Sequence, residues 1–137
     1  MNKNLKVLVV DDEPPTADLF SGVLIRSGFQ VKSAGNGGDA IEIIKEWRPN
    51  IVVCDVVMPG IDGFDVLTFA KKEYPEIRML MITGQSDPES LRKSFRLGAD
   101  EFITKPVSSQ DLVLIIQRVC WRFFEEKDNS SKASSIA

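Results

Sequence analysis

The chain has 137 residues and a mass of 15.3 kDa, enough for one domain of ordinary size and too short for two. Hydrophobic residues make up 43% and charged residues 27%, so a sizeable core is available and global disorder is excluded. A net charge of -3 and a pI near 5.0 argue against a surface that neutralises nucleic-acid phosphates or an anionic membrane, and direct nucleic-acid binding by this chain is not expected.

Leu5 to Val10 reads as a buried strand that runs into Asp11-Asp12-Glu13, charges that no core buries unpaired. Pro14 and Pro15 suit the first turn of a helix, and Leu19, Val23 and Leu24 give that helix an apolar stripe ending at Gly28. Phe29 to Ala34 is a weaker strand, and Gly35-Asn36-Gly37-Gly38 reads as a turn. A second helix follows with Ala40, Ile43, Ile44 and Trp47 at helical spacing, closed by Arg48-Pro49. Ile51 to Cys54 is a continuous apolar run of the kind covered on both faces in a parallel sheet, and Asp55 ends it. The loop to Gly63 leads into a helix with Val66, Leu67 and Ala70 on one side, ending at Pro75; Asp62 reads as an ordinary turn residue. Met79 to Ile82 is the fourth strand, closed by Thr83-Gly84, and Pro88-Glu89 opens a helix that carries Leu91 and Phe95 and stops at Gly98. Glu101 to Thr104 is the fifth strand, followed by Lys105-Pro106. A last helix starts at Ser108 or Ser109, with Asp111 placed to cap it, and runs to about Glu126. Residues 127–137 form a polar, serine-rich segment expected to be a disordered tail or the start of a linker, leaving residues 1–126 as the domain.

Five strand–helix units imply a doubly wound α/β fold: a parallel sheet with right-handed crossovers and helices on both faces. Ligands of such sheets bind beyond the carboxyl ends of the strands, and Asp11, Asp12, Asp55, Thr83 and Lys105 all fall there. Three carboxylates from two strand ends make a hard-oxygen set suited to Mg²⁺. A lysine and a hydroxyl suit phosphoryl oxygens, and an aspartate is a competent phosphoryl acceptor. Each residue alone has a plainer reading, since acidic groups favour a helix N-terminus and polar residues commonly end strands; their coincidence at successive strand ends is the signal. The chain has no histidine, so any phosphohistidine belongs to a partner. Cys54 and Cys120 stand far apart in apolar surroundings, the pattern of free buried thiols. No apolar run approaches the roughly 20 residues of a membrane helix, and the first four residues lack a signal-peptide layout, so the cytoplasm is the expected compartment.

Together these residues resemble the response-regulator receiver domain of two-component signalling over roughly residues 5–126. The resemblance rests on Asp11-Asp12, on Asp55-Val56-Val57-Met58-Pro59-Gly60-Ile61-Asp62-Gly63, on Thr83-Gly84 and on Lys105-Pro106. It implies a flavodoxin-like, chemotaxis-receiver-like sheet of order 2-1-3-4-5 with five helices. It implies Asp55 as phosphoacceptor from a sensor histidine kinase or phosphotransfer protein, and Mg²⁺ held by Asp12 directly, by Asp11 largely through water, by Asp55 and by the Val57 carbonyl. Lys105 would pair with the phosphoryl oxygens, Thr83 and Phe102 would act as switch residues, and Lys105-Pro106 would be cis. The output is then expected on the face of helix four, strand five and helix five, from a signalling module that catalyses only its own phosphoryl transfer and dephosphorylation. Val57 and Gln85 depart from the polar residues common in the family, and apolar Val57 cannot orient an attacking water.

The last helix has Leu112, Ile115, Ile116, Val119 and Phe123 at helical spacing, sufficient to dock on the sheet. A second apolar set (Val113, Leu114, Cys120, Trp121 and Phe124) reads either as a contact with another chain, a homodimer or an effector, or equally as a snug helix with one or two surface aromatics. Competing readings are a Mg²⁺-dependent phosphatase, weakened because Val57 replaces the second acid such enzymes carry, and a flavin or nucleotide binder, weakened because Asp11-Asp12-Glu13-Pro14 is no glycine-rich cradle. A third is a degenerate receiver used only for docking.

Overall fold

The computed structural model describes residues 5–84 and 87–125; the expectations for the first four residues, for Gln85, for Glu126 and for the segment 127–137 lie outside the described residues. Strands β1 (Lys6–Val10), β2 (Gln30–Ala34), β3 (Ile51–Asp55), β4 (Arg78–Thr83) and β5 (Glu101–Thr104) alternate with helices α1 (Pro14–Arg26), α2 (Gly37–Trp47), α3 (Gly63–Glu73), α4 (Pro88–Arg96) and α5 (Ser109–Cys120). A π-helical turn, Trp121–Glu125, extends α5. All neighbours pair in parallel, in the order β2-β1-β3-β4-β5, so the doubly wound, flavodoxin-like arrangement is the observed one.

Alternation along the central strands divides the core in two. Val7, Val9, Val53 and Ile82 face α1 and α5, whereas Leu8, Val10, Val52, Met79 and Met81 face the side covered by α2 and α3. β3 is buried at every position, as its unbroken apolar run requires. β2 is an edge strand and is mostly exposed, which accounts for its weaker pattern.

Several local readings change. The inner face of α1 is Ala17, Phe20 and Leu24, three residues at helical spacing, and Leu19 lies a residue off that stripe in solvent. Gly37 and Gly38 belong to α2, not to a turn: Asn36 is the cap, its side chain accepting from the Asp39 N–H at 2.8 Å. A Cβ on Gly37 would stand 2.3 Å from the Ile61 carbonyl oxygen, so this glycine lets the β3–α3 loop rest on the helix start. Asp62 is more than a turn residue, forming a reciprocal capping box with Asp65 at the start of α3. For α5 the capping side chain is Ser108, which accepts from the Asp111 N–H at 3.0 Å.

Helix α4 is the least anchored. Leu91 and Phe95 turn outward, and the one buried residue of the helix is Ser94, 0% exposed, whose Oγ has no hydrogen-bond partner among the described residues. A buried hydroxyl without a partner loses its water and gains nothing in exchange. Ser94→Ala is therefore expected to stabilise the chain by about 1 kcal/mol, part of it from the higher helix propensity of alanine. Urea unfolding measures this as a higher midpoint at unchanged slope, and an equal or lower midpoint contradicts it.

Candidate functional site

The carboxyl ends of β1, β3, β4 and β5 converge on one cleft of about 470 Å³, lined by Asp12, Glu13, Asp55, Val57, Thr83, Gly84 and Lys105. Parallel register does the aligning: Val10 pairs with Cys54, Asp55 with Ile82, and Thr83 with Thr104, so consecutive strands end level with one another. Backbone bonds hold the rim. The Val56 N–H donates to the Ile82 carbonyl at 2.9 Å, the Lys105 N–H to the Thr83 carbonyl at 2.8 Å, and the Asp11 N–H to the Ala34 carbonyl at 3.1 Å.

Lys105 is the hub of the site. Its Nζ lies 3.0 Å from Oδ2 of Asp11 and 3.2 Å from Oδ2 of Asp55, one ammonium shared by two buried carboxylates from different strands. The remaining oxygens accept backbone bonds, Asp11 from the Glu13 N–H at 2.9 Å and Asp55 from the Val57 N–H at 3.2 Å. Burial lifts the Asp55 pKa above the ordinary aspartate value; Lys105 and the Val57 N–H pull it back, while the Asp11 charge adds to the rise. Burial disfavours the Lys105 ammonium, yet its hydrogen bonds and attraction to Asp11 and Asp55 prevail and raise its pKa above that of free lysine.

Asp11, Asp12 and Asp55 can each bring one carboxylate oxygen to within 4.8 Å of the others. Asp11 and Asp55 are buried and Asp12 is exposed, which makes a half-open cluster of hard oxygens facing the cleft. That donor set fits a small divalent cation that keeps several waters.

The structure thus brings Asp11, Asp12, Asp55, Val57, Thr83 and Lys105 together, with Thr83 buried at the end of β4 and the Lys105-Pro106 peptide cis. Val57 presents its side chain to solvent at the rim, 52% exposed. Phe102 is not in the cleft: it is half-buried on β5, against the core on the α3 side, and lines two surface grooves. Of the second apolar set on α5, Cys120 is buried and Val113 and Phe124 pack in part against the core, whereas Leu114 and Trp121 are exposed. Val113 and Phe124 are thus only half-exposed beside Trp121, because α5 and its π-helical turn bring both partly inward. Glu13 and Gly84 also line the cleft, and sequence reasoning did not place them in the site; the signal for Glu13 was its place in the acidic run after β1.

A parallel five-stranded sheet of this order with an aspartate–lysine cluster at its carboxyl rim defines a flavodoxin-like class of α/β signalling domain. The family model described as response regulator receiver domain matches residues 7–117, and the chain belongs to that family, in its CheY-like form. Among solved structures it is similar to a CheY-like receiver domain protein from Methanospirillum hungatei JF-1, at 29% identity and a TM-score of 0.85 over 89% of this chain and 98% of that one. It is also similar to the chemotaxis protein CheY4 of Vibrio cholerae, at 29% identity and a TM-score of 0.80 over 84% and 98%. A longer relative is NtrX from Brucella abortus, solved in complex with ATP, at 31% identity and a TM-score of 0.82 over 91% of this chain and 29% of that one. Among the described residues no helix is long and apolar enough to cross a membrane.

Proposed function

We propose that the chain is a phosphorylation-activated receiver that takes a phosphoryl group from a sensor histidine kinase or phosphotransfer protein onto Asp55, in the cytoplasm. An Asp55 carboxylate oxygen attacks phosphorus, the P–N bond of the donor's phosphohistidine breaks, and the electron pair stays with the imidazole of the partner. Membership of the receiver family supports this, and the observation that carries it is the Lys105 ammonium held between Asp11 and Asp55. Lys105 keeps the acceptor ionised and oriented, and the same ammonium is within reach of the incoming phosphoryl oxygens. Asp11, Asp12, Asp55 and the Val57 carbonyl would hold Mg²⁺, which supplies charge neutralisation at the phosphoryl oxygens when bound.

Thr83 then hydrogen-bonds the phosphoryl group, and Phe102 follows by turning toward the core, altering the face of α4, β5 and α5 that meets a partner or output domain. The chain acts as a switch and not as a turnover enzyme on small metabolites; its own chemistry is phosphoryl transfer to Asp55 and slow dephosphorylation, since Val57 supplies no polar group to align water.

Intact-mass spectrometry after exposure to acetyl phosphate tests the reading. Wild type with Mg²⁺ is expected to gain one phosphoryl group, and Asp55→Asn, or wild type in chelator, to gain none. No gain by wild type from acetyl phosphate or from a histidine kinase would leave a docking module with an acidic cluster.

A further inference from the structure

The chain leaves α5 through the π-helical turn Trp121–Glu125, which breaks the register of the helix and turns Phe123 back onto the fold. Such turns are uncommon and recur at functional positions. Beyond the apolar packing of Phe123 and Phe124, this one is held by polar contacts that lead to two adjacent acids at the amino end of β5. Glu101 takes Arg118 of α5 on Oε1 at 3.0 Å and Arg122 of the turn on Oε2 at 3.8 Å. Asp100 takes Arg78, the first residue of β4, on Oδ1 at 3.3 Å, and the Arg78 guanidinium lies 3.9 Å from the centre of the Phe123 ring.

The other end of β5 is in the cleft. Glu101 opens the strand, and Lys105, which directly follows its last residue, bonds Asp11 and Asp55. With four residues, about 13 Å of extended backbone, β5 runs from the cleft to the exit turn. It lies at the sheet edge and pairs with β4 alone, so fewer bonds resist its displacement than for a central strand. The two ties differ in firmness. Asp100 is locked, since its Oδ2 also accepts from the Met79 N–H and the Lys71 ammonium, each at 2.9 Å. The Arg122 pair, at 3.8 Å and with an arginine side chain 47% exposed, stands at the limit of an ion pair. A displacement of Glu101 by a few tenths of an ångström therefore leaves Arg118 bound and breaks Arg122.

We propose that β5 acts as a rod between the cleft and the exit turn, with the Glu101–Arg122 pair as its release point. When Lys105 is drawn toward a group on Asp55, Glu101 shifts with the strand, Arg122 is released and Trp121–Glu125 loosens. What draws Lys105 rests on the receiver reading; the tie itself does not. The contacts are internal to the chain, and no partner is needed for the release. By linkage, a chain whose turn is loosened beforehand must hold the group on Asp55 more tightly, by the factor with which that group loosens the turn.

Amide hydrogen exchange of residues 121–125, followed by NMR in the full chain, is the test, with the amides of β1 and β3 reporting global opening. Glu101→Gln and Arg122→Gln are each expected to speed exchange in the turn about threefold, the two together no more than either alone, with β1 and β3 unchanged. Mg²⁺ with beryllium trifluoride, a phosphoryl mimic, is expected to speed it about threefold in the wild type, to add nothing in Glu101→Gln, and to bind Glu101→Gln about threefold more tightly. Wild-type exchange in both variants overturns the tie. A mimic that leaves the wild-type turn unchanged, or speeds exchange equally in wild type and Glu101→Gln, overturns the coupling. The receiver reading fails separately, if the wild type gains no phosphoryl group and binds no mimic. Lys105→Met, which frees the cleft end of β5 without any ligand, then decides. Exchange at 121–125 that rises relative to β1 and β3, and rises no further with Glu101→Gln, supports the rod; unchanged exchange overturns it.

Discussion

Lys105→Met is expected to abolish phosphoryl gain and, in chelator at pH 7, to lower stability by about 2 to 3 kcal/mol. Removing one member of a buried ion pair leaves the other charge uncompensated, which typically costs more than the pair contributed. Here two carboxylates are left, Asp11 and Asp55, both buried and held close to one another by separate strands. The loss falls short of that for a fully enclosed pair because the cleft is open to water.

The pH dependence identifies the cause. In the wild type the folded-state pKa of Asp55 already stands above its ordinary value, chiefly through burial, with Lys105 opposing the rise. A raised carboxylate pKa means that the folded state holds its proton more tightly than the unfolded one, so stability falls as pH rises through the folded pKa. Without Lys105 that window widens. The variant should approach wild-type stability near pH 4 and lose ground steadily toward neutrality. Adding Asp55→Asn to Lys105→Met removes one of the two stranded charges and should restore much of the loss, and Mg²⁺ should do the same by binding only the folded state. Urea midpoints across this pH range, in chelator and in Mg²⁺, provide the measurement. A variant as stable as wild type at pH 7 in chelator would show that Lys105 holds nothing in place.

That role of Lys105 marks where sequence reading reaches its limit. The five strands and their polar ends were legible because each depends on one-dimensional signals, such as the apolar run Ile51 to Cys54 broken by Asp55, whereas the strand order followed only from the family resemblance. Which carboxylate the lysine touches depends on the register of β5 against β4 and of β3 against β1, and nothing local encodes that. The faces of α2 and α3 held, but those of α1 and α4 were misread in part for a related reason. Leu19 and Phe20 are adjacent and both apolar, and only the direction of the crossover from β1 decides that Phe20 is the buried one. On α4 the usual rule inverts, with Leu91 and Phe95 outside and Ser94 inside, because packing on β5 presents a narrow contact that a small side chain fills. The apolar surplus on α5 could not be apportioned for the same reason. The π-helical turn at Trp121 shifts the facing of everything after it, drawing Phe123 under the Arg78 guanidinium, 3.9 Å from the ring centre, while leaving Trp121 outside.

Gly63 shows how closely the acceptor's position depends on the helix that follows it. A Cβ at this first residue of α3 would stand 2.1 Å from the Asp55 carbonyl oxygen and 2.8 Å from the Val56 Cα, backbone atoms that no rotamer change can move aside. The helix start is meanwhile fixed by the Asp62–Asp65 capping box and by the Gly63 N–H, which donates to the Val56 carbonyl at 3.0 Å. On the other side Val56 is tied to Ile82 of β4. Alanine therefore forces either α3 away from the sheet or the end of β3 out of line. Gly63→Ala is expected to cost about 2 to 4 kcal/mol, in the upper range of overpacking effects, because backbone must move. Displacing the Asp55 carbonyl also tilts its side chain relative to Lys105, and a misplacement near 1 Å in a transfer site lowers the rate by roughly a hundredfold. Single-turnover phosphorylation followed by intact mass should show slower gain of the phosphoryl group even in the folded fraction. Gly35→Ala is the matching control, since a Cβ there meets nothing within 4 Å, and its effect should stay within about 0.5 kcal/mol. If Gly63→Ala folds as tightly and accepts phosphoryl as fast as the wild type, the approach of α3 to the acceptor strand has no part in holding Asp55.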